Sequence, residues 1–208
     1  MRGTSRSTAV VVALLATLAA ACGGTGSDGK QVGADGLPRF MKGFEVACTA
    51  GTGFAAAAAF EPGPDALPLA FFTDLDNEGT WFLLDPQLGE EYAATELSDA
   101  DSASERDRLK AISAIACLDV ESSEPSGATC DFEDDAGTVT SLAVLNVTYT
   151  LSVHEARTGD EVGTASIDVA GADVTCPIVM SIDEGQTTML PDPSTEDVIA
   201  ELDSILGL

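Results

Sequence analysis

One acidic segment of the chain has residue types and a spacing that could bind a metal ion. Asp74, Asp76, Glu78, Gly79 and Asp85 occupy positions 1, 3, 5, 6 and 12 of a calcium-binding loop. Carboxylate oxygens are the ligands that Ca²⁺ prefers, and the glycine allows the sharp turn that lets them converge. Position 12, however, holds Asp in place of a bidentate Glu, and the flanking residues favour strands instead of helices. We therefore interpret the segment as an acidic hairpin turn, with calcium binding as the alternative.

The sequence identifies no catalytic residue. A serine or cysteine nucleophile needs a general base, and the chain has one histidine, His154. The sequence contains neither a Gly-x-Ser-x-Gly motif nor a glycine-rich phosphate loop. The presence of carboxylate pairs does not indicate glycoside hydrolysis in this chain, because any sequence with 35 acidic residues contains some pair at a suitable spacing.

The N-terminal residues have the layout of a secretory signal peptide. Arg2 and Arg6 precede an uncharged, mostly apolar run over residues 9–21, which is too short to span a bilayer. The run ends in Leu18-Ala19-Ala20-Ala21-Cys22, which resembles a bacterial lipobox and implies cleavage before a lipidated Cys22. The alternative is an ordinary signal peptide. We predict a lipoprotein signal peptide over 1–21, a glycine-rich flexible tether over 22–37, and a single β-rich domain over 38–208.

Four cysteines remain in the predicted mature domain: Cys48, Cys117, Cys130 and Cys176. In an exported chain they suggest two disulfides. A zinc site is the alternative, but no Cys-x-x-Cys occurs and the histidine is far from every cysteine in sequence. We predict the pair Cys117–Cys130, because these residues flank a turn predicted at 121–128, and Cys48–Cys176 for the remaining pair.

The predicted mature chain is strongly acidic. Its seven lysines and arginines stand against 35 aspartates and glutamates, for a net charge of −28. This charge argues against nucleic acid as a partner, since binding it requires cations that neutralise phosphates. It also argues against adhesion to anionic lipid head groups, which leaves the lipid on Cys22 as the predicted membrane attachment. Basic partners are compatible with the charge, and so is a simple role in solubility.

The clearest structural pattern is an alternation of apolar and polar residues over 145–169. A three-residue turn with a left-handed Gly159 predicts a hairpin that pairs Val153 with Gly163 and Tyr149 with Ile167. Residues 67–73 and 80–84 predict a second hairpin, and 110–120 predicts another strand. Weaker strand signals lie at 44–47 and 53–60. Residues 87–109 predict a long surface loop, with room for one helical turn near Ser104–Arg108.

A helix is predicted at the C-terminus, where Ser194 can cap an apolar stripe at helical spacing. Together with the strands it predicts a β-rich α+β fold, an antiparallel sheet or sandwich-like domain with a C-terminal helix.

Two short signatures resemble uncharacterised exported proteins of bacteria. One is Ile115-Ala116-Cys117 with Cys130-Asp131-Phe132, and the other is Glu155-Ala156-Arg157-Thr158-Gly159 followed by Gly171 and Cys176-Pro177. The acidic hairpin ahead of Trp81 is similar as well, so the resemblance covers residues 66–206. It implies an all-β or α+β extracytoplasmic domain, and it assigns neither an activity nor a functional residue.

These observations predict a lipoprotein anchored on the extracytoplasmic face of a membrane in the cell envelope. Its predicted role is a non-catalytic binding or interaction module for an unidentified protein or envelope partner. We predict that the protein has no cofactor, unless calcium binds at the acidic turn. The alternative is a carboxylate-based hydrolase, with or without Ca²⁺, that acts on an envelope polymer. Two buried acids that face each other across a cleft would favour the hydrolase, and acids confined to solvent would favour the module.

The lipobox makes a prediction about the mature N-terminus. Intact-mass analysis of the protein purified from its native membrane should show a chain that begins at Cys22 and carries added acyl-chain mass. The Cys22→Ala variant should lack that mass, because the thiol that carries the lipid is gone. An unmodified chain that begins at another residue would contradict the prediction.

Overall fold

The structure of the protein, a computed structural model, describes residues 32–74, 82–83, 103–134, 137–178, 180–183 and 185–208. The strands in these ranges are β1 (Leu69–Asp74), β2 (Phe82–Leu83), β3 (Ala114–Glu133), β4 (Val139–Glu155), β5 (Glu161–Val169) and β6 (Thr188–Met189). They form one sheet in the order β2–β1–β3–β4–β5, and β6 pairs with β4. The pairs β1–β3 and β4–β6 are parallel, so the sheet is mixed and not purely antiparallel as predicted.

The helices of the described residues are α1 (Val46–Ala50), α2 (Ala103–Ala111) and α3 (Thr195–Leu206), with 3₁₀ turns at Met41–Glu45, Pro64–Ala66 and Gly171–Asp173. The fold is β-rich α+β with a C-terminal helix, which confirms the predicted fold class. None of these helices is long and apolar enough to cross a membrane.

Helix α3 covers one face of the sheet, which we call the helix face. Ser194 caps the helix, because its Oγ accepts the backbone N–H of Asp197 at 3.1 Å. The apolar stripe predicted for α3 packs inward. On this side of the sheet, α3, β1, β3 and β4 share one apolar core, which includes Val198, Leu202, Leu206, Leu69, Phe71, Leu118, Val147, Tyr149, Leu151 and Val153. Each such buried side chain contributes about 1.5–3 kcal/mol.

The predicted hairpin of β4 and β5 is confirmed in its register. Val153 pairs with Gly163 and Tyr149 with Ile167. Gly159 has φ +80° and donates its N–H to the carbonyl of Glu155 at 2.8 Å. A side chain at position 159 would also overlap the carbonyl of Gly51, so both the turn and its packing require glycine.

Residues 121–128, which the sequence predicts as a turn, lie inside β3. The strand accommodates its proline and glycine through two irregularities, one between Val120 and Ser122 and one between Pro125 and Ala128. The chain reverses only after Glu133, where the N–H of Asp134 donates to the carbonyl of Thr138 at 3.0 Å.

The predicted disulfide pairing is wrong, although all four cysteines are paired. The bonds are Cys48–Cys117 and Cys130–Cys176, each with a Cα–Cα distance of 5.6 Å. Cys117 and Cys130 lie on the same strand thirteen positions apart, a separation of about 40 Å at the rise of a strand. A disulfide requires Cα atoms within about 7 Å, so the extension of β3 excludes the predicted bridge.

The N-terminal segment and the predicted loop at 87–109 also differ from expectation. Residues 44–47, a predicted strand, belong to a 3₁₀ turn and α1, because Leu37, Met41, Phe44 and Ala47 recur at helical spacing and are all buried. Helix α2 contains the predicted helical turn at 104–108, is longer than that turn, and buries Leu109. The described part of the predicted tether, 32–37, is folded, since the N–H of Gly33 donates to the carbonyl of Leu37 at 2.7 Å.

Alanine at Gly159 should be more destabilising than alanine at Gly127. Both glycines are left-handed, with φ +80° and +83°, so each alanine carries the same backbone cost of about 1 kcal/mol. A Cβ at position 127 meets nothing within 4 Å, whereas one at position 159 overlaps the Gly51 carbonyl. We expect Gly159→Ala to cost about 1–3 kcal/mol more in denaturant unfolding. Equal losses for the two variants would contradict the packing described here.

Candidate functional site

The sheet face opposite α3 is covered at both ends and open between them. β4 has no bulge, so its even-numbered residues from Leu142 to His154 share this face. At one end, the N-terminal cover, residues 37–57, packs on Ile115 and Cys117. At the other end, the C-terminal cover, which comprises residues 174–178, 180–183 and 185–189, packs on Leu142 and its neighbours.

A disulfide holds each cover to the same strand. Cys48 ties the N-terminal cover to Cys117 near the start of β3, and Cys176 ties the C-terminal cover to Cys130 near its end. Both β3 cysteines pair with even-numbered β4 residues, Ser152 and Leu142, and so lie on the covered face. The open stretch is therefore bounded on two sides by segments that are covalently fixed to β3.

The open stretch contains a groove of about 570 Å³ across β3, β4 and the end of β5. This volume lies in the usual range for ligand-binding clefts. Most of its lining side chains are polar, and they are Ser122, Ser123, Glu124, Asn146, Thr148 and Asp168. The groove offers hydroxyl, amide and carboxylate groups to a ligand, with only Val147, Val169 and Ala170 as apolar neighbours.

Hydrogen bonds fix the floor and one wall of the groove. Thr148 Oγ1 donates to a carboxylate oxygen of Asp168 at 2.7 Å, which joins β4 to β5. Asn146 Oδ1 accepts the backbone N–H of Gly171 at 2.9 Å, which holds the chain after β5 against β4. A side chain at Gly171 would overlap the Leu145 carbonyl, so the chain crosses there at close range. The polar groups are therefore held in place before any ligand arrives.

Carboxylates collect beside the groove, on the side of the N-terminal cover. Asp74 and Asp119 are directly paired on β1 and β3, and Asp74 is only 4% exposed. Partial burial, together with repulsion from Asp74 and then from Glu121, raises the pKa of Asp119. Thr150 Oγ1 donates to Glu121 Oε2 at 3.2 Å. This end of the open stretch is therefore strongly negative.

Of the predicted calcium ligands, the structure describes Asp74. Asp76, Glu78 and Asp85 lie outside the described residues, so the calcium site remains a prediction. Within the described ranges, no three His, Cys, Asp or Glu side chains come together in a way that could hold a metal ion. Asp74 instead neighbours Asp119, with which the sequence pattern did not connect it.

The histidine of the chain, His154, lies at the end of the β4–β5 hairpin. His154 is half-buried, and its Nδ1 lies 3.3 Å from the carbonyl of Gly159, to which a protonated Nδ1 donates. The neighbouring Arg157 donates from Nε to the carbonyl of Ala57 at 3.1 Å, across to the N-terminal cover. Both contacts stabilise the turn and its packing.

The sequence predicted some of the residues on the open face of the sheet, but not how β3, β4 and β5 bring them together. The alternation over 145–153 predicted that Asn146, Thr148 and Thr150 face away from the core. Asp119 could have been recognised as a fourth residue of this face, because it follows Cys117 by two residues in the alternation of the neighbouring strand, β3. The groove itself required the β3–β4 register, which the mistaken turn at 121–128 concealed.

Comparisons of the chain with protein-family models, with curated proteins and with solved structures find no match. The resemblance to exported bacterial proteins therefore stays a prediction, and the function has to be argued from the site.

The raised pKa of Asp119 makes a prediction about stability. The folded protein retains this proton to a higher pH than the unfolded chain, so ionisation of Asp119 with rising pH lowers the free energy of unfolding. Asp119→Asn should therefore raise the melting temperature at about pH 7, and the gain should disappear at about pH 3, where both states are protonated.

The control for this measurement is Asp173→Asn, which removes the same charge from an exposed 3₁₀ turn. The measurement is the melting temperature of both variants and of the wild type between about pH 3 and pH 7. A gain for Asp119→Asn that does not depend on pH, or one that Asp173→Asn reproduces, would contradict the account of Asp119.

Proposed function

We propose that the protein is a lipid-anchored extracytoplasmic lipoprotein that acts as a binding module through its open groove. The observation that carries this proposal is the position of the groove between two covers, each held to β3 by a disulfide. A preformed polar cleft with fixed walls loses little conformational entropy when a partner binds, which favours recognition.

The chemistry of the groove favours a positively charged partner. Glu121, Glu124 and Asp168 are exposed carboxylates on or beside it, and Thr148 and Ser122 supply hydroxyls. Charge-assisted hydrogen bonds from lysine or arginine to such carboxylates are stronger than neutral ones. We therefore propose a lysine- or arginine-bearing segment of an envelope protein as the partner, attracted by the acidic field of the chain.

Location outside the cytoplasm is supported by the cysteines as well as by the N-terminal motif. Two disulfides are typical of exported proteins, since cytoplasmic thiols are kept reduced. The lipobox-like sequence at Cys22 supplies the proposed membrane attachment.

One observation favours the alternative function, a carboxylate-based hydrolase of an envelope polymer. Asp74 is buried and directly paired with Asp119, whose pKa is raised, and hydrolases use pairs of carboxylates with separated pKa values. The pair lies at the side of the groove, so a bound polymer could reach Asp119. This function makes Asp119 the essential acid, whereas binding makes the exposed carboxylates essential.

One set of variants distinguishes the binding module from the hydrolase. With a lysine-rich oligopeptide as the probe at low salt, Glu124→Gln combined with Asp168→Asn should weaken binding about five- to tenfold, because two ion pairs are lost. The control, Asp65→Asn combined with Glu196→Gln, makes the same charge change at exposed sites away from the groove and should weaken binding less than about twofold. Isothermal titration calorimetry measures both.

Equal weakening by the two double variants would contradict binding in the groove. Release of soluble fragments from purified envelope polymer by the wild type, lost in Asp119→Asn, would favour the hydrolase instead.

A further inference from the structure

The basic residues that the structure describes are concentrated at one end of the molecule. Five of these six lysines and arginines lie in 39–42 and 106–110. Arg106 joins the second segment to the chain just before the first, because its Nε donates to Asp35 at 3.0 Å and its Nη1 donates to the Pro38 carbonyl at 2.6 Å. The same Arg106 contact lowers the pKa of Asp35, which keeps that carboxylate charged.

The rest of the chain carries almost all of the negative charge. Residues 32–45 and 103–111 together contain five basic and four acidic residues, whereas 46–102 contain eleven acids and no basic residue, and 112–208 contain nineteen acids and one arginine. Glu133, at the far end of β3 from Cys117, lies about 50 Å away at the rise of a strand. Among the described residues, the end formed by 32–45 and 103–111 is thus close to neutral, and the opposite end is strongly acidic.

The neutral end also exposes apolar side chains. Phe40 is 48% exposed and Val32 is 53% exposed, and Val32 forms a β-bridge with Pro38, two residues before Phe40. The 3₁₀ turn that starts at Met41 sends Met41 and Phe44 into the core and leaves Phe40 at the surface. The exposed residues Arg39 and Lys42 flank Phe40 on the chain. We call Val32, Arg39, Phe40 and Lys42 the N-terminal patch.

The chain length places this patch near the proposed lipid. Val32 follows Cys22 by ten positions in the sequence, a length of chain that reaches about 35 Å when fully extended and about 17 Å as a glycine-rich coil. An aromatic side chain beside basic residues is a composition that suits the boundary between lipid head groups and acyl chains. An acidic body is repelled from an anionic lipid surface, so it would turn away from that surface.

We propose that the N-terminal patch lies on the bilayer that carries the lipid of Cys22, with Phe40 inserted at the head-group boundary. Repulsion of the acidic residues then holds the β3–β4 end away from the membrane and presents the groove to the envelope space. This inference rests on the proposed lipid anchor. It revises the expectation that the charge of the chain prevents head-group contact, because that expectation assumed an even charge distribution.

Tryptophan fluorescence on the lipidated full chain tests the proposal. The single tryptophan is first removed as Trp81→Phe, and Phe40→Trp or Val139→Trp is added to that background. Val139, at the start of β4, is a matched control because it is an apolar residue 57% exposed at the opposite end. The probe is a vesicle of phosphatidylcholine and phosphatidylglycerol with brominated acyl chains, which quench nearby tryptophan.

We expect the fluorescence of the Phe40→Trp variant to be quenched several-fold more strongly than that of the Val139→Trp variant. Protein that floats with the vesicles but shows equal quenching at both positions would overturn the orientation and leave the anchor standing. Protein that does not float would overturn the anchor as well. Hydrogen exchange of the unsubstituted lipidated protein gives a readout that needs no variant: residues 39–44 should exchange more slowly on vesicles than in detergent, and residues 139–142 should not. Unchanged exchange at 39–44 would overturn the proposal.

Discussion

Pairing of β3 with β4 is the constraint on which the rest of the structure depends. It runs from the pair Ala114–Glu155 to the pair Glu133–Val139 and absorbs extra β3 residues as bulges instead of ending at a turn. Near its start β3 is buried on both faces, with Ala114, Ala116 and Leu118 in the core under α3 and Ile115 and Cys117 under the N-terminal cover. Strands β1, β5 and β6 pair directly with this ribbon, and α1 and α3 pack on it.

The ribbon also changes which of its faces is buried. Between Val147 and Val153, β4 buries its odd-numbered residues under α3, whereas Leu142 and Val144 are buried on the opposite face under the C-terminal cover. The groove lies where the burial changes face and neither cover extends. Beyond Asp119, β3 pairs with no other described strand on its outer side, and its acids, its proline and its bulges are features that discourage pairing with another chain. The acidic residues of β3 therefore protect the edge of the sheet from pairing with another chain, in addition to any role in binding.

The two proposals fit one arrangement of the molecule. A lipid at Cys22 and the N-terminal patch would hold one end at the membrane, and the acidic β3–β4 end would extend into the envelope space. The groove would then be accessible to partners from that space, between the two covers that Cys48–Cys117 and Cys130–Cys176 hold to β3. The negative charge of the protein would have two effects. Its repulsion from the lipid surface would orient the protein, and its attraction for cations would bring a basic partner to the groove.

Local patterns in the sequence determined the elements that depend only on neighbouring residues. The β4–β5 hairpin register follows from alternation and from Gly159, and the start of α3 follows from Ser194. Only the tertiary structure decided the length of β3, the disulfide partners and the groove. Pro125 and Gly127 have the residue types of a turn, but continued pairing with β4 keeps them in a strand. The disulfides join residues 69 and 46 positions apart, and such partners are set by strand register and packing, which no local pattern encodes.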